Sequence, residues 1–213
     1  APGKLDHVMA LRARGADLAV VVDSVEAAQA VAARGAGIPT LIEIDCDGHR
    51  AGVKPGHPVL LDIAKALARG ARPAGVMTHA GDSYNCRTTQ AIADMAERER
   101  GAVVKSAAVL RSGGFACPVV SVGSTPTATF ARSLEGVTEV RAGVFVFHDL
   151  VMAGLGVCRV EDIAVSVLCT VIGHQREKGW IITDGGWMAT SRDRGTARQA
   201  VDQGYGLVCD EEG

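Results

Sequence analysis

Pro118-Val-Val-Ser-Val-Gly-Ser-Thr-Pro-Thr127 reads as a strand that runs directly into a tight turn and the start of a helix. The short apolar run Pro118–Val122 has the composition of a strand covered on both faces, as in a parallel sheet. Gly123 followed by two hydroxyls offers backbone N–H and O–H donors in a confined space. Such a turn suits a phosphate, with a helix N-terminus behind it. The same residues also spell a plain helix cap with Pro126 at the first helical position.

The strand–turn–helix grammar extends in both directions. Leu18–Asp23, Thr40–Asp45 and Ala74–Thr78 are further short apolar strands on the N-terminal side, and Val140–Phe147 is one on the other. Helical patterns separate them. Ser24 is an N-cap before Val25-Glu-Ala-Ala-Gln-Ala-Val-Ala-Ala, with Gly35 near the end. Pro58 opens a helix that Gly70 closes. From Thr88 to Leu110, Ile92, Ala96, Val103, Ala107 and Leu110 recur at helical spacing as one apolar stripe. Alternation of this kind predicts right-handed βαβ units. The fold class is therefore α/β, a parallel (β/α)8 TIM-type barrel. A closed barrel has eight strands in about 250 residues. Five are visible, so the missing N-terminal strands are expected to precede Ala1.

Beyond about residue 160 the pattern changes. Ile163–Ile172 is strand-like with no helix after it, Glu177-Lys-Gly is a turn, and Trp180–Asp184 is a returning strand. The expected division is a partial barrel over 1–160 and the start of an antiparallel β domain over 161–213. That domain is expected to be incomplete, the chain stopping at Asp210-Glu-Glu-Gly213 straight after the strand-like Leu207-Val-Cys.

The 213 residues are 47% hydrophobic with a net charge of -2. That balance gives no electrostatic footprint for nucleic acid or an anionic membrane. No apolar run approaches the roughly 20 residues a membrane span needs. The six cysteines form no C-x-x-C pair, which excludes a zinc ribbon and a thioredoxin motif. They are expected to be reduced and mostly buried, in a cytoplasmic protein. His174 is expected in an exposed turn, and Trp187 in a core or dimer contact.

Active sites of parallel barrels are built at the carboxyl ends of the strands. Those ends carry Asp23, Asp45 with Arg50, Thr78-His79, Ser124-Thr125 and Arg141-Ala-Gly143. Gly143 would let a backbone N–H approach a ligand. Arg141, opening the fifth strand, would point into the barrel, where a guanidinium needs a partner.

Thr78-His-Ala-Gly-Asp-Ser-Tyr84, Ser121-Val-Gly-Ser-Thr-Pro-Thr127, Arg141-Ala-Gly-Val-Phe-Val-Phe-His-Asp149 and Thr183-Asp-Gly-Gly-Trp187 together resemble the D-threonine aldolase / D-serine dehydratase family. This is the alanine-racemase-like, fold-type III group of pyridoxal-phosphate enzymes. The resemblance runs along the chain from Gly3-Lys-Leu-Asp. It implies a barrel with a C-terminal β domain, a homodimer, and pyridoxal 5'-phosphate as cofactor. By the same resemblance Ser124 and Thr125 hold the phosphate with the backbone of Gly143 and Val144. Tyr84 lies beside the cofactor, Arg50 contacts the ring oxygen, and His79 lies below the ring. Arg141 faces the pyridine nitrogen and disfavours its full protonation. The family's Schiff-base lysine is expected upstream of Ala1, and its divalent metal ligands (for Zn or Mn) beyond Gly213. Some aldolase members carry His where Ser83 stands, which tilts the expectation toward dehydration.

The resemblance thus implies a lyase acting on D-3-hydroxy amino acids, of the aldolase or the dehydratase type. An amino-acid racemase of the same barrel family, a non-catalytic cofactor-binding fragment, and a barrel taking a phosphorylated metabolite stand as alternatives.

Overall fold

The computed structural model describes residues 2–209. Five strands, β1 (Val20–Val22), β2 (Pro39–Glu43), β3 (Arg72–Met77), β4 (Val119–Val122) and β5 (Glu139–Val140), pair in parallel in the order of the sequence. Between successive strands lie α2 (Val25–Ala32), α3 (Val59–Leu67), α4 (Thr89–Ser112) and α5 (Thr125–Phe130), and α1 (Pro2–Ala13) precedes β1. Each crossover steps one strand in the same direction. That is how the wall of a parallel barrel is laid down, and it bears out the expected fold class.

Local chemistry accounts for the element starts. Ser24 has extended backbone and its side chain accepts from the Ala27 N–H, capping α2. Ile42 and Ile44, Val76, and Val120 form the sheet's share of the core, with no more than 1% of each exposed. Leu60, Ile63 and Leu67 of α3, and Ile92, Val103 and Leu110 of α4, close over the apolar interior. The expected stripe of α4 is therefore the buried face of that helix. At Gly75 the chain takes φ +152, and a Cβ would collide with Val119 of the neighbouring strand. Glycine is what lets β3 and β4 come together there.

The described chain folds as two compact units. The first comprises Ala1–Ser83 and Gln90–Ala142, the second Tyr84–Thr89 and Gly143–Gly213. In the second, α6 (Leu150–Gly154) is capped by Asp149, which accepts from the Met152 N–H at 2.9 Å. β6 (Val171–Gln175) and β7 (Trp180–Thr183) form an antiparallel ribbon, turned by a left-handed Gly179. Ile172, Trp180 and Ile181 are all more than half exposed on it.

Several local expectations are corrected. The fifth strand covers Glu139–Val140 only, and Val144–Val146 is a 3-10 turn. β6 begins at Val171, not Ile163, and Leu207–Cys209 forms no strand. His174 lies in β6 but is exposed as expected, and Trp187 is half exposed, which removes the core alternative and not the dimer one. All six cysteines are free thiols, but only Cys46 and Cys117 are buried. The stop at Asp210–Gly213 and the start at Ala1 lie outside the described residues. Among the described residues no helix is long and apolar enough to cross a membrane.

Candidate functional site

In-register parallel strands end together, so the residues that follow them gather along one edge of the sheet. Glu43 pairs with Met77, Met77 with Ser121, and Ser121 with Glu139. Partners in register point to the same face, so these four residues make one row across the sheet.

Arg141 comes two residues after Glu139, just past the end of β5 and not at the start of a strand. Its Nε donates to Ser121 Oγ at 2.8 Å and its Nη2 donates to the Thr78 carbonyl. The Ser121 hydroxyl in turn donates to Glu139. Burial pushes the guanidinium pKa down, and the carboxylates of Glu139, Glu99 and Glu43 pull it back up. Arginine's intrinsic basicity leaves it a cation at neutral pH.

At the exit of β4, Ser124 has extended backbone and its Oγ accepts from the Thr127 N–H, while the Thr127 hydroxyl accepts from the Ser124 N–H. Pro126 sits in the first turn. The plain-cap reading of this turn is therefore realised, and it is only part of the arrangement. Ser124 Oγ also lies 3.1 Å from Ser83 Oγ and 2.9 Å from Thr127 Oγ1. Thr127 Oγ1 donates to Glu99 Oε2 at 2.7 Å. Three hydroxyls and a carboxylate thus form one buried chain, with no member more than 3% exposed.

Glu99 does more than end that chain. Its Oε1 accepts from the Ala80 N–H at 2.9 Å and from the Gly123 N–H at 3.1 Å. One carboxylate from α4 therefore holds the segment after β3, the segment after β4, and the first turn of α5. Sequence reasoning missed it, although a signal was present. Glu99 stands three residues after Ala96 and four before Val103, inside the apolar stripe. A charged residue in such a stripe is buried only where it is paired.

His79 Nδ1 lies 2.7 Å from the Gly123 carbonyl. A carbonyl only accepts, so Nδ1 carries the proton in this bond. Gly123 is bracketed on both sides, its N–H by Glu99 and its C=O by His79. Its φ is +149, and a Cβ there would lie 2.6 Å from the Arg141 main-chain N.

The structure thus brings His79, Ser124, Thr125 and Arg141 to one edge of the first unit. Arg50 is exposed on the loop after β2, outside this network. That loop is tied to the next by Asp47 Oδ2, which accepts from the Asp82 N–H at 2.9 Å. Tyr84, Gly143 and Val144 belong to the second unit. Tyr84 is half-buried in the 3-10 turn Gly81–Asn85, and Val144 is half-buried too. Gly143 is exposed with φ -118, a conformation open to any residue. The donors at the first unit's edge are a guanidinium, an imidazole and buried hydroxyls. They are of the kind that an aromatic phosphate ester requires: hydrogen-bond donors for the anion and a cation that carries no acceptor for the ring nitrogen.

Cys46, two residues beyond Ile44, is buried, and burial pushes its thiol pKa from 9.0 up to about 12, against a lowering hydrogen bond to Thr78. The unfolded thiol ionises first, so this contribution to stability is whole below pH 9 and is lost as pH rises toward 12. The urea midpoint is expected to fall over that alkaline range, and less steeply in Cys46→Ala. Maleimide mass labelling of the native protein should modify the exposed Cys169 and Cys209 first and reach Cys46 only on unfolding.

A family model for the alanine racemase N-terminal domain matches residues 4–150. The chain belongs to the alanine racemase N-terminal domain family. This is the fold-type III group of pyridoxal-phosphate enzymes. A serine dehydratase domain model matches residues 164–213. Among relatives of this racemase-like chain, the D-threo-3-hydroxyaspartate dehydratase of Delftia sp. (strain HT23) is 58% identical, across all of the chain and 58% of that protein. Its solved structure superposes with a TM-score of 0.96, covering 100% of this chain and 58% of that one. An alanine-racemase-like protein from Idiomarina loihiensis is 48% identical with a TM-score of 0.93, over 100% of this chain and 57% of that one. The D-serine dehydratase of Dictyostelium discoideum is 32% identical over 72% of this chain and 41% of that protein. The chain spans little more than half the length of these relatives.

Proposed function

We propose that the protein is a pyridoxal-phosphate lyase acting on D-3-hydroxy amino acids, with loss of water favoured over carbon–carbon cleavage. The observation that carries this reading is the donor edge of half-buried His79 and Arg141 and buried Ser124 in a chain 58% identical to a D-threo-3-hydroxyaspartate dehydratase. Ser83 supports dehydration, since its buried hydroxyl is committed to Ser124 at the place where some aldolases carry a histidine.

When bound, the cofactor supplies an electron sink for the bond broken at the substrate Cα. This chain's residues would do the rest at named atoms. Ser124 and Thr125 would hold the phosphate, the Ser124 hydroxyl turning to it from Thr127. Arg141, pinned by Ser121 and Thr78, presents donors only, so it faces the ring nitrogen without accepting its proton. His79 is oriented by the Gly123 carbonyl. By resemblance the set also includes Arg50, Tyr84, Gly143 and Val144. A divalent metal, Zn or Mn, is assigned to the full-length enzyme; a mutant of a D-threo-3-hydroxyaspartate dehydratase was solved in its metal-free form. We place the domain boundary near residue 160 and assign a cytoplasmic homodimer, the free thiols supporting a reducing compartment.

The test incubates the full-length protein and cofactor with D-threo-3-hydroxyaspartate, D-serine and D-threonine. Ammonia with an oxo acid is the expected product. Glycine with an aldehyde would replace dehydration by aldol cleavage, and the L-enantiomer would make the protein a racemase. A visible absorbance that borohydride does not remove would overturn covalent cofactor chemistry.

A further inference from the structure

We infer that Glu99 is a positioning residue for the candidate cofactor site, setting the phosphate side of it from behind. This rests on the pyridoxal-phosphate reading above. Glu99 lies on α4 and is 2% exposed. It acts through what it holds: the Ala80 N–H next to His79, the Gly123 N–H next to Ser124, and the Thr127 hydroxyl.

The consequences are directional. The carboxylate takes the Thr127 proton, so Thr127 Oγ1 is left to accept from its neighbours. Ser124 Oγ lies 2.9 Å away and can donate to it, and Ser83 can donate to Ser124. The chain of hydroxyls is thereby oriented toward Glu99. The Gly123 peptide is fixed with its N–H toward Glu99 and its C=O toward His79 Nδ1. One buried group thus sets the facing of both the imidazole and the Ser124-Thr125 turn.

A residue needed only for folding would lower stability and leave ligand preference unchanged. A positioning residue on the phosphate side changes the preference for pyridoxal phosphate over pyridoxal, which lacks the phosphate. The experiment measures dissociation constants of both for the full-length protein, by absorbance titration, in wild type, Glu99→Gln, Thr127→Val, Thr127→Ser and the Gln/Val double variant. Thr127→Val breaks the bond to Glu99 without altering charge. The phosphate-dependent part of the affinity is expected to fall about tenfold in Thr127→Val and in Glu99→Gln, to stay in Thr127→Ser, and to fall no further in the double variant. An unchanged ratio, or tighter relative binding of pyridoxal phosphate once the negative charge is gone, overturns the inference. Failure of the wild type to bind pyridoxal phosphate overturns the functional reading instead.

Discussion

Glu99→Ala is expected to destabilise the protein by about 3–5 kcal/mol, measured as the shift in urea-unfolding free energy. Three buried donors lose their acceptor at once: Ala80 N–H, Gly123 N–H and Thr127 O–H. Each orphaned donor costs about 1–3 kcal/mol. Relief of the cost of burying a carboxylate offsets part of the sum. A domain has only about 5–15 kcal/mol to lose, so the variant should be largely unfolded at moderate urea. Glu99→Gln keeps an acceptor for both amides and should lose far less. A loss below about 1 kcal/mol in Glu99→Ala would show that water or a neighbour replaces the carboxylate, and would sink this account.

The second large effect is expected at Gly123. With φ +149, alanine there is strained before any contact is considered, and its Cβ would fall on the main chain of Arg141. Strain of this kind costs about 1–3 kcal/mol, and separating β4 from the segment after β5 costs more. Gly123→Ala should therefore lose about 3 kcal/mol or more of stability and release Arg141 from Ser121 and Thr78. Gly101 provides the opposite sign. It lies within α4 with nothing near a new Cβ, so Gly101→Ala should gain about 0.5–1 kcal/mol. Equal effects at the two glycines would remove the steric argument.

The first four strands were legible because each contains a nearly continuous apolar run, a signal that depends only on local composition. The helix caps were legible for the same reason, since Ser24 and Ser124 bond to an N–H three residues away. The end of β5 was not. Val144–Phe147 has strand composition, and the 3-10 turn it forms depends on tertiary context. The ribbon's exact start failed similarly, because Ile163–Thr170 is rich in β-branched residues but forms no strand. Within the site, His79, Ser124 and Arg141 were found because strand ends are where barrels place polar groups. The burial of Glu99 was signalled by its place in the α4 stripe, but its partners are 19, 24 and 28 residues away, and no local pattern records such bonds.

The carboxylate behind the site also bears on how the fold can diversify. Loops at strand ends ordinarily change one at a time while the scaffold stays fixed. Here a member of the scaffold grips two of those loops, so their shapes are inherited as a pair. A mutant library built to alter substrate choice should hold positions 80, 99, 123 and 127 constant, or vary them as a single block, and spend its diversity on the exposed loop around Arg50.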